Sequence, residues 1–257
     1  MEKVHYQQWP TTSYAVAWDR QQELLDELVA RKRRNRGHQP GDAAWEARHH
    51  YLIFCDHPHV YTLGKSGSEE HLLLNEQQRA EHEVEYFRIN RGGDITYHGP
   101  GQIVGYPIFD LEGFFTDVHK YVRFLEEAVM RTLADYGLTD TYREQGYTGV
   151  WLPATEALPK RKICAIGVHL SRWCTMHGFA FNVNTDLSYF GHIVPCGIAE
   201  PDRGVTSMAA ELGHAIDMDE CRERLLGHFA ELFGFEVMRS GHPVMPDSLE
   251  APEGAEN

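Results

Sequence analysis

Cysteine offers the most reactive side chain in this sequence, and one of the five cysteines stands in an unusual setting. Cys196 lies between a proline and a glycine, in a turn where its thiol and the neighbouring amides can face a ligand. The turn indicates either a nucleophilic thiol or a buried loop cysteine. By contrast, Cys55, Cys164 and Cys221 lie in apolar strands or a helix, which predicts small core residues, and the pattern around Cys174 is ambiguous.

A nucleophilic thiol needs a nearby cation or base, because a free cysteine ionises only at a pKa of about 8.5. Lys162 precedes an apolar strand, where its long side chain either reaches over a binding loop or projects into solvent. His98, His169, His177 and His192 are the imidazoles considered as alternatives. Because the chain has sixteen histidines, no single one of them is diagnostic.

A glycine-rich segment, Arg-Gly-Gly-Asp-Ile-Thr-Tyr-His-Gly-Pro-Gly-Gln at 91–102, carries four glycines and one proline. Glycine lets a backbone approach a ligand closely and adopt positive φ. An apolar strand at 103–110 follows, so the segment is attached to rigid sheet, as binding loops often are. We therefore predict a ligand-lining loop, with a β-hairpin that carries a polar turn as the alternative.

A metal site is the other chemistry that the spacing suggests. Cys55, His57 and His59 alternate along the chain and would share one face of a strand. Pro58 interrupts the extended backbone, however, and no second ligand pair at zinc spacing occurs in the sequence. The sequence also lacks a Walker loop, a His-Glu-x-x-His helix and a Gly-x-Ser-x-Gly elbow. We expect no metal site.

Composition limits the classes of protein to consider. The 257 residues are 42% hydrophobic, yet no run approaches the roughly 18 apolar residues of a membrane span, and no apolar signal region begins the chain. An odd number of cysteines without framework spacing is typical of a reducing compartment, so we expect a soluble cytoplasmic protein.

The net charge of −14 argues against nucleic acid as the main partner. The basic runs 31–36 and 160–162 indicate either docking patches or solvated ends of elements.

Hydrophobic periodicity predicts the elements that must position these residues. Helices are predicted at 13–34, 117–136 and 217–233. Strands are predicted at 4–9, 51–55, 60–63, 84–89, around Thr96, and at 103–109, 149–152, 163–170, 178–183 and 235–238. This order predicts a single α/β domain at 1–244, with a mixed β-sheet flanked by helices. The tail at 245–257, rich in proline, glycine and acidic residues, is predicted to be disordered.

Five segments in order along the chain resemble the motifs of the lipoyl(octanoyl) transferases, which belong to the biotin and lipoate protein ligase superfamily. They are His-Pro-His-Val-Tyr-Thr-Leu-Gly-Lys at 57–65, the glycine-rich segment at 91–102, Lys-Ile-Cys-Ala-Ile-Gly at 162–167, His-Gly-Phe-Ala-Phe-Asn-Val-Asn at 177–184 and Val-Pro-Cys-Gly at 194–197. The resemblance implies the mixed-sheet fold of that superfamily and an activity that needs no cofactor.

The resemblance also implies the roles of particular residues. Cys196 is the expected nucleophile, and Lys162 is expected to lower its pKa and to handle protons. The implied reaction moves an octanoyl group from a thioester on acyl carrier protein to Cys196, and then to a lysine of a lipoyl domain. The substrate-contacting residues that it implies are Arg91, Gly92, Gly93, Asp94, Ile95, Thr96, Tyr97, His98, Ala165, Ile166, Gly167, Gly178, Phe179 and Ala180.

The implied partners are octanoyl-acyl carrier protein as donor, with the lipoyl domains of 2-oxoacid dehydrogenase E2 subunits and the glycine cleavage H protein as acceptors. The resemblance suggests a monomer. Because such carrier domains are acidic, we hypothesise that Lys160, Arg161 and the run 31–36 form the docking surface. Two rival functions remain: an ATP-dependent lipoate or biotin protein ligase, and a relative that keeps the pocket but has lost the reaction.

Overall fold

The helices and strands lie close to their predicted positions in a computed structural model that describes residues 1–194 and 203–239. The helices are α1 Tyr14–Arg34, α2 Glu76–Glu81, α3 Val118–Asp135, α4 Met208–Leu212 and α5 Met218–Phe233. The strands are β1 Glu2–Thr11, β2 His50–Asp56, β3 Val60–Leu63, β4 Glu85–Arg88, β5 Ile95–His98, β6 Gln102–Ile108, β7 Tyr142–Glu144, β8 Tyr147–Leu152, β9 Lys160–Ser171, β10 Cys174–Asn182, β11 Arg203–Val205 and β12 Phe235–Arg239.

The ends of the long helices follow from capping chemistry. The side chain of Asp117 accepts a hydrogen bond from the Lys120 amide at the start of α3, and Asp217 caps α5 in the same way. At the end of α3, Gly137 adopts φ +85° and donates its amide to the Ala134 carbonyl. The predicted boundaries of both helices are therefore confirmed to within one residue. The short elements α2, α4, β7 and β11 were not predicted.

A large mixed sheet is the centre of the fold. In the described part of the chain it has nine strands in the order β12-β1-β2-β6-β10-β9-β8-β7, with β11 beside the start of β9. Side chains alternate between its two faces. Phe54 packs with α3 and α5 on one face, whereas Ile53 and Cys55 pack against α1 on the other. The result is a sheet with helices on both sides, as predicted.

A second, three-stranded sheet in the order β4-β3-β5 was not predicted. The turn at Gly99 and Gly101 separates β5 from β6, with Gly101 at φ +78°, and the chain passes there from the small sheet to the large one. The small sheet has a core of its own, which includes Tyr61, Ile95 and Tyr97. Hydrophobic periodicity predicts strands but not their partners, so one mixed sheet was expected where two form.

The two basic runs are largely neutralised by the protein itself. Arg161 is buried, and its guanidinium forms two hydrogen bonds of 2.5 Å to the carboxylate of Glu211. Lys160 binds Glu144 at 2.8 Å. In the first run, Arg31 and Arg34 bind Glu27 and Glu46, while Lys32 binds Asp110 and Glu112. The hypothesis that Arg161 docks an acidic partner is therefore wrong, because its guanidinium is buried and paired with Glu211 inside the fold.

The tail that was predicted at 245–257 lies outside the described residues. Among the helices of residues 1–194 and 203–239, none combines the length and the apolar character needed to cross a membrane.

The turn between β9 and β10 places two ordinary residues in the left-handed region, Arg172 at φ +53° and Trp173 at φ +68°. We expect the double variant Arg172→Asn/Trp173→Gly to raise the free energy of unfolding by about 1 kcal/mol, because asparagine and glycine adopt this conformation with less steric conflict. Equilibrium unfolding in urea measures the change.

Gly137→Ala is the matched control, and we expect it to change the free energy of unfolding in the opposite direction. Gly137 also has a positive φ, +85°, and no neighbouring atom lies within 4 Å of an added Cβ. Alanine there should lower the free energy of unfolding through backbone strain alone. An Asn-Gly turn that is no more stable than the wild type would contradict the strain assigned to Arg172 and Trp173.

Candidate functional site

A cavity of about 340 Å³ lies where the glycine-rich loop faces β9 and β10. Most of the residues predicted to form a site line it. They are Arg91, Gly92, Gly93, Asp94, Ile95, Thr96, His98, Lys162, Ala165, Ile166, Gly167, Gly178, Phe179 and Ala180. Residues more than eighty positions apart in the chain are thus brought around one space, which is the arrangement that a ligand-lining loop requires.

Backbone hydrogen bonds hold the loop on two sides. On the side of the small sheet, the amides of Gly64 and Ser66 donate to the carbonyls of Asp94 and Gly93, at 3.2 Å each. On the side of the large sheet, the Gly92 amide donates to the carbonyl of Val168 in β9, at 3.0 Å. The loop is therefore a bridge between the two sheets.

This bridge requires glycine at positions outside the loop as well as within it. A Cβ added to Gly64 would lie 2.3 Å from the Gly93 carbonyl oxygen, and one added to Gly167 would lie 2.8 Å from that of Gly92. Within the loop, Gly93 has φ +86°. Gly64 and Gly167 are consequently determinants of the loop's position, because any larger side chain would displace it.

Arg91 fixes the loop from inside. Its guanidinium Nη2 donates to the carbonyl and the Oγ1 of Thr62 in β3, at 2.7 and 3.0 Å, and Nη1 donates to the Gly92 carbonyl at 3.0 Å. Only 8% of Arg91 is exposed, and burial lowers its pKa. Within residues 1–194 and 203–239 it forms no ion pair. Its hydrogen bonds all go to neutral oxygens, so its position depends on the geometry of this loop.

His98 belongs to a buried polar network beneath the loop. Its Nδ1 lies 2.8 Å from Oε1 of Gln102, and Nε2 of Gln102 donates to Oδ1 of Asn182 at 2.9 Å. The imidazole also stacks on the ring of Tyr14, with centroids 5.8 Å apart. Burial lowers the pKa of His98 well below its ordinary value. His98 is therefore neutral near pH 7 and suited to positioning.

His177 occupies a strained position in β10, at φ +60°. Its Nε2 lies 2.7 Å from Oδ1 of Asn90, and its amide donates to Oε1 of Gln21 at 3.1 Å. Burial, with a further contribution from Arg91, lowers the pKa of His177 to about 3. A neutral imidazole cannot stabilise a thiolate by charge, so neither His98 nor His177 can supply the cation that a nucleophilic cysteine needs.

Lys162 is an amine that lines the cavity, together with the guanidinium of Arg91. It is half-buried at the start of β9, where the Thr206 amide donates to its carbonyl at 2.9 Å. Its Nζ lies 4.8 Å from the centre of the Trp151 ring. This half-buried side chain therefore rests against an aromatic face at the wall of the cavity.

Cys196 lies outside the described residues, which end on that side at Val194. The Val194 amide donates to the His71 carbonyl at 2.8 Å, so the chain is anchored two residues before the predicted nucleophile. The four cysteines that the structure describes are Cys55, Cys164, Cys174 and Cys221, and all are buried. Burial raises the pKa of each thiol, to about 12 in Cys55, Cys174 and Cys221. As predicted for three of them, they are core residues, and Cys174 joins them.

Tyr97 is the one described residue of the predicted site that does not line the cavity. Side chains alternate along β5, so Thr96 and His98 face the cavity while Tyr97 faces the core of the small sheet. Its hydroxyl lies 2.7 Å from Nδ1 of His59, and its ring stacks on Tyr189. Tyr97 therefore supports the loop from behind.

Thirteen further residues line the cavity. Gln102 belongs to the predicted loop at 91–102, and His177 and Asn182 belong to the matched segment 177–184. The others, which carry no distinctive local pattern, are Tyr14, Val104, Tyr106, Val122, Gly146, Tyr147, Thr148, Val168, Phe190 and Val205. His177 is one of the four imidazoles named as possible partners of the thiol, and it also opens the matched segment 177–184.

Both histidines of the alternative metal site have hydrogen-bond partners within the fold. His57 is buried, with Nδ1 2.7 Å from the Thr12 carbonyl and Nε2 2.6 Å from the Tyr106 hydroxyl. His59 instead binds Tyr97. In residues 1–194 and 203–239, no group of three His, Cys, Asp or Glu side chains has the arrangement of a metal site.

The buried histidines make stability depend on pH. Burial lowers the pKa of His57 to about 4 and that of His177 to about 3, against an ordinary value of 6.5 in the unfolded chain. The unfolded chain therefore takes up protons first, and stability falls as the pH drops below 6.5.

We expect the free energy of unfolding to decrease by about 2 kcal/mol for each such histidine between about pH 7.5 and about pH 5. In urea unfolding at the two pH values, His57→Gln should lose less stability than the wild type. Equal losses would contradict the assignment of a neutral His57.

Comparison with known proteins agrees with this geometry. The family of the lipoyl protein ligase A/B catalytic domain matches residues 13–230. An octanoyltransferase of Flavobacterium johnsoniae is 51% identical over 238 residues, which cover 92% of this chain and 99% of the relative. The octanoyltransferase of Cytophaga hutchinsonii is 51% identical over 229 residues, which cover 89% of this chain and 92% of the relative.

Solved structures share the fold at low sequence identity. The bipartite lipoate protein ligase of Thermoplasma acidophilum has a TM-score of 0.66 and 19% identity, with 93% of this chain and 87% of that chain covered. A lipoate-protein ligase A bound with ATP has a TM-score of 0.63 and 19% identity, with 93% and 89% covered. They confirm the predicted α/β fold. Given the family match and the close relatives, the chain belongs to the lipoyl protein ligase A/B catalytic-domain family, and within it to the octanoyltransferases.

Proposed function

We propose that this octanoyltransferase takes an octanoyl group from octanoyl-acyl carrier protein onto Cys196 and passes it to a lysine of a lipoyl domain. The observation that carries the proposal is the cavity that Lys162 and the glycine-rich loop both line, and Phe190, six residues before Cys196, lines it too. The four other thiols are buried and hard to ionise, so Cys196 is the cysteine available for a covalent intermediate.

In the first step, the Cys196 thiolate attacks the thioester carbonyl and forms a new carbon–sulfur bond. The tetrahedral intermediate collapses, and the thiolate of the carrier's phosphopantetheine arm leaves. The Lys162 ammonium gives that thiolate its proton, so the products are a free carrier thiol, a neutral Lys162 and octanoyl-Cys196. One thioester replaces another, which makes the step nearly isoenergetic.

In the second step, the amine of the acceptor lysine attacks octanoyl-Cys196. Lys162, now neutral, takes the proton that the attacking amine loses, and Cys196 leaves as a thiolate. The thiolate and the Lys162 ammonium are thereby restored. An amide replaces a thioester, so this step is downhill and drives the transfer without ATP.

The walls of the cavity suit an unbranched acyl chain. Between Lys162 and the glycine-rich loop they present small or apolar residues, among them Ala165, Gly167 and Ala180. Each methylene buried there contributes roughly 0.8 kcal/mol to binding. The predicted contacts of 91–98, 165–167 and 178–180 are accordingly assigned to the acyl pocket, except that Tyr97 acts through the packing of β5.

An ATP-dependent ligase is the rival function, because the fold relatives include lipoate protein ligases. The relatives at about half sequence identity favour the transferase, since they are octanoyltransferases. We further propose lipoyl domains of 2-oxoacid dehydrogenase E2 subunits and the glycine cleavage H protein as acceptors, in keeping with the lipoyl domain that accompanies the Thermoplasma acidophilum ligase.

Intact mass spectrometry tests the donor and the nucleophile together. With octanoyl-acyl carrier protein and no ATP, we expect the wild type to gain one octanoyl group, which hydroxylamine removes because the link is a thioester. Octanoate with ATP should give no adduct. Cys196→Ala should gain nothing, whereas Cys174→Ala, which removes a buried thiol, should behave as the wild type does. An adduct that persists in Cys196→Ala, or one that requires ATP, would refute the proposal.

The close approach of the loop to Gly167 leads to a second prediction, which concerns the rate of octanoyl transfer. In Gly167→Ala the added Cβ meets the Gly92 carbonyl oxygen at 2.8 Å and Arg91 Cδ at 2.9 Å, so the loop must move. We expect kcat/KM for octanoyl transfer to fall by roughly tenfold or more, because a small displacement of a binding wall disturbs the reacting geometry. Gly227→Ala is the control, since Gly227 lies in α5 with no atom within 4 Å of an added Cβ. Wild-type activity in Gly167→Ala would disprove the close approach.

A further inference from the structure

Trp151 faces Lys162 because of an irregularity in strand pairing. Val150 of β8 pairs with Cys164 of β9, but the next residue, Trp151, pairs with Lys162 and skips Ile163. The extra residue in β9 is a β-bulge, a feature that re-aims side chains and is common beside active sites. Residues directly opposite each other on adjacent strands project from the same face, so the bulge brings the indole under the Lys162 side chain.

The contact has the geometry of a cation–π interaction. The Lys162 Nζ lies 4.8 Å from the centre of the Trp151 ring, within the range of about 6 Å over which an aromatic face attracts a cation. Trp151 is completely buried, so water does not compete at the ring. The attraction acts on the ammonium and not on the neutral amine.

The indole itself is held in place. Its Nε1 donates to the Tyr147 carbonyl at 3.4 Å, and the rings of Tyr147 and Trp151 meet edge to face at 6.3 Å. The Tyr147 ring in turn contacts the Arg203 guanidinium, which lies 4.0 Å from the centre of that ring. The contacts therefore run in the order Lys162, Trp151, Tyr147 and Arg203, and of these four residues Lys162 and Tyr147 line the cavity.

Charged groups on the surrounding elements complete the setting. Glu126 of α3 binds Arg123 at 2.6 Å and Arg143 at 3.1 Å, and it accepts the Gly149 amide. On the far side, the carboxylate of Glu144 in β7 binds Lys160 at 2.8 Å. Glu126 and Glu144 bind these other cations, and the Trp151 face is directed at Lys162.

We propose that Trp151 is a positioning residue for the transfer reaction, one that holds the Lys162 side chain at the cavity wall and favours its protonated form. The inference rests on the proposed function, in which the Lys162 ammonium stabilises the Cys196 thiolate. Removing the aromatic face should leave Lys162 in the chain but weaken its support of the thiolate. The expected consequence is that Cys196 ionises at higher pH.

The test is the rate of Cys196 alkylation by iodoacetamide as a function of pH, which needs neither donor nor acceptor. The buried thiols do not contribute in the folded protein. We expect the midpoint of the profile to rise by about half a unit to one unit in Trp151→Leu, and by less in Trp151→Phe, which keeps an aromatic ring. In steady-state assays kcat should fall while KM for octanoyl-acyl carrier protein stays near the wild-type value.

A double-variant comparison separates this role from a general effect on the fold. In a Lys162→Met background, Trp151→Leu should cause no further shift of the midpoint. A shift of the same size in that background, or no shift in the Lys162-containing protein, would overturn the role of Trp151 alone. An unchanged midpoint in Lys162→Met itself would overturn the proposed role of Lys162 and this inference with it.

A spectroscopic measurement on the wild type covers the case in which Trp151→Leu fails to fold. The indole ring current should move the Cε protons of Lys162 upfield of those of Lys160, the matched lysine two residues earlier in β9, which binds a carboxylate instead. Coincident Cε proton shifts for the two lysines would contradict the contact.

Discussion

The buried guanidinium of Arg91 is the interaction on which the rest of the site depends. It binds Thr62 in the small sheet and the Gly92 carbonyl in the loop, and its side chain passes directly over Gly167 in the large sheet. No carboxylate among the described residues forms an ion pair with it, so apart from the electrostatic contribution of Asp94 its burial depends on these oxygens staying in place. The loop, the two sheets and the cavity between them are therefore positioned together.

The electrostatics of the site follow from burial. His98 and His177 are kept neutral, and the buried thiols are kept protonated, so most groups near the cavity cannot take part in proton transfer near pH 7. Lys162 differs because it lines the cavity from near the start of β9 and rests on an aromatic face. In the proposed mechanism the proton transfers fall to Lys162 and the covalent step to Cys196, which lies outside the described residues.

Local sequence was sufficient for the elements but not for their partners. The capping residues Asp117 and Asp217 and the apolar runs predicted the long helices and most strands, because these depend on neighbours along the chain. The separate small sheet and the ion pair of Arg161 with Glu211 depend on contacts distant in sequence, and no local pattern encodes them. The loop at 91–102 could be predicted because its residue types are poor choices for an ordinary core, whereas for Lys162 the residues left two alternatives open and the family resemblance favoured one of them. The bulge at Ile163 could not, since it becomes visible only when β8 and β9 are paired.

The most direct test of the account concerns the chemical competence of the intermediate. The wild-type enzyme is loaded from octanoyl-acyl carrier protein, freed of donor, and mixed with a lipoyl domain that lacks a modification, and the octanoyl group is then followed by mass spectrometry. The account predicts that the group leaves Cys196 and appears on the lipoyl-domain lysine in one turnover, at least as fast as steady-state catalysis. Octanoyl-Cys196 that persists in the presence of the lipoyl domain, or that loses its acyl group only to water, would contradict the account.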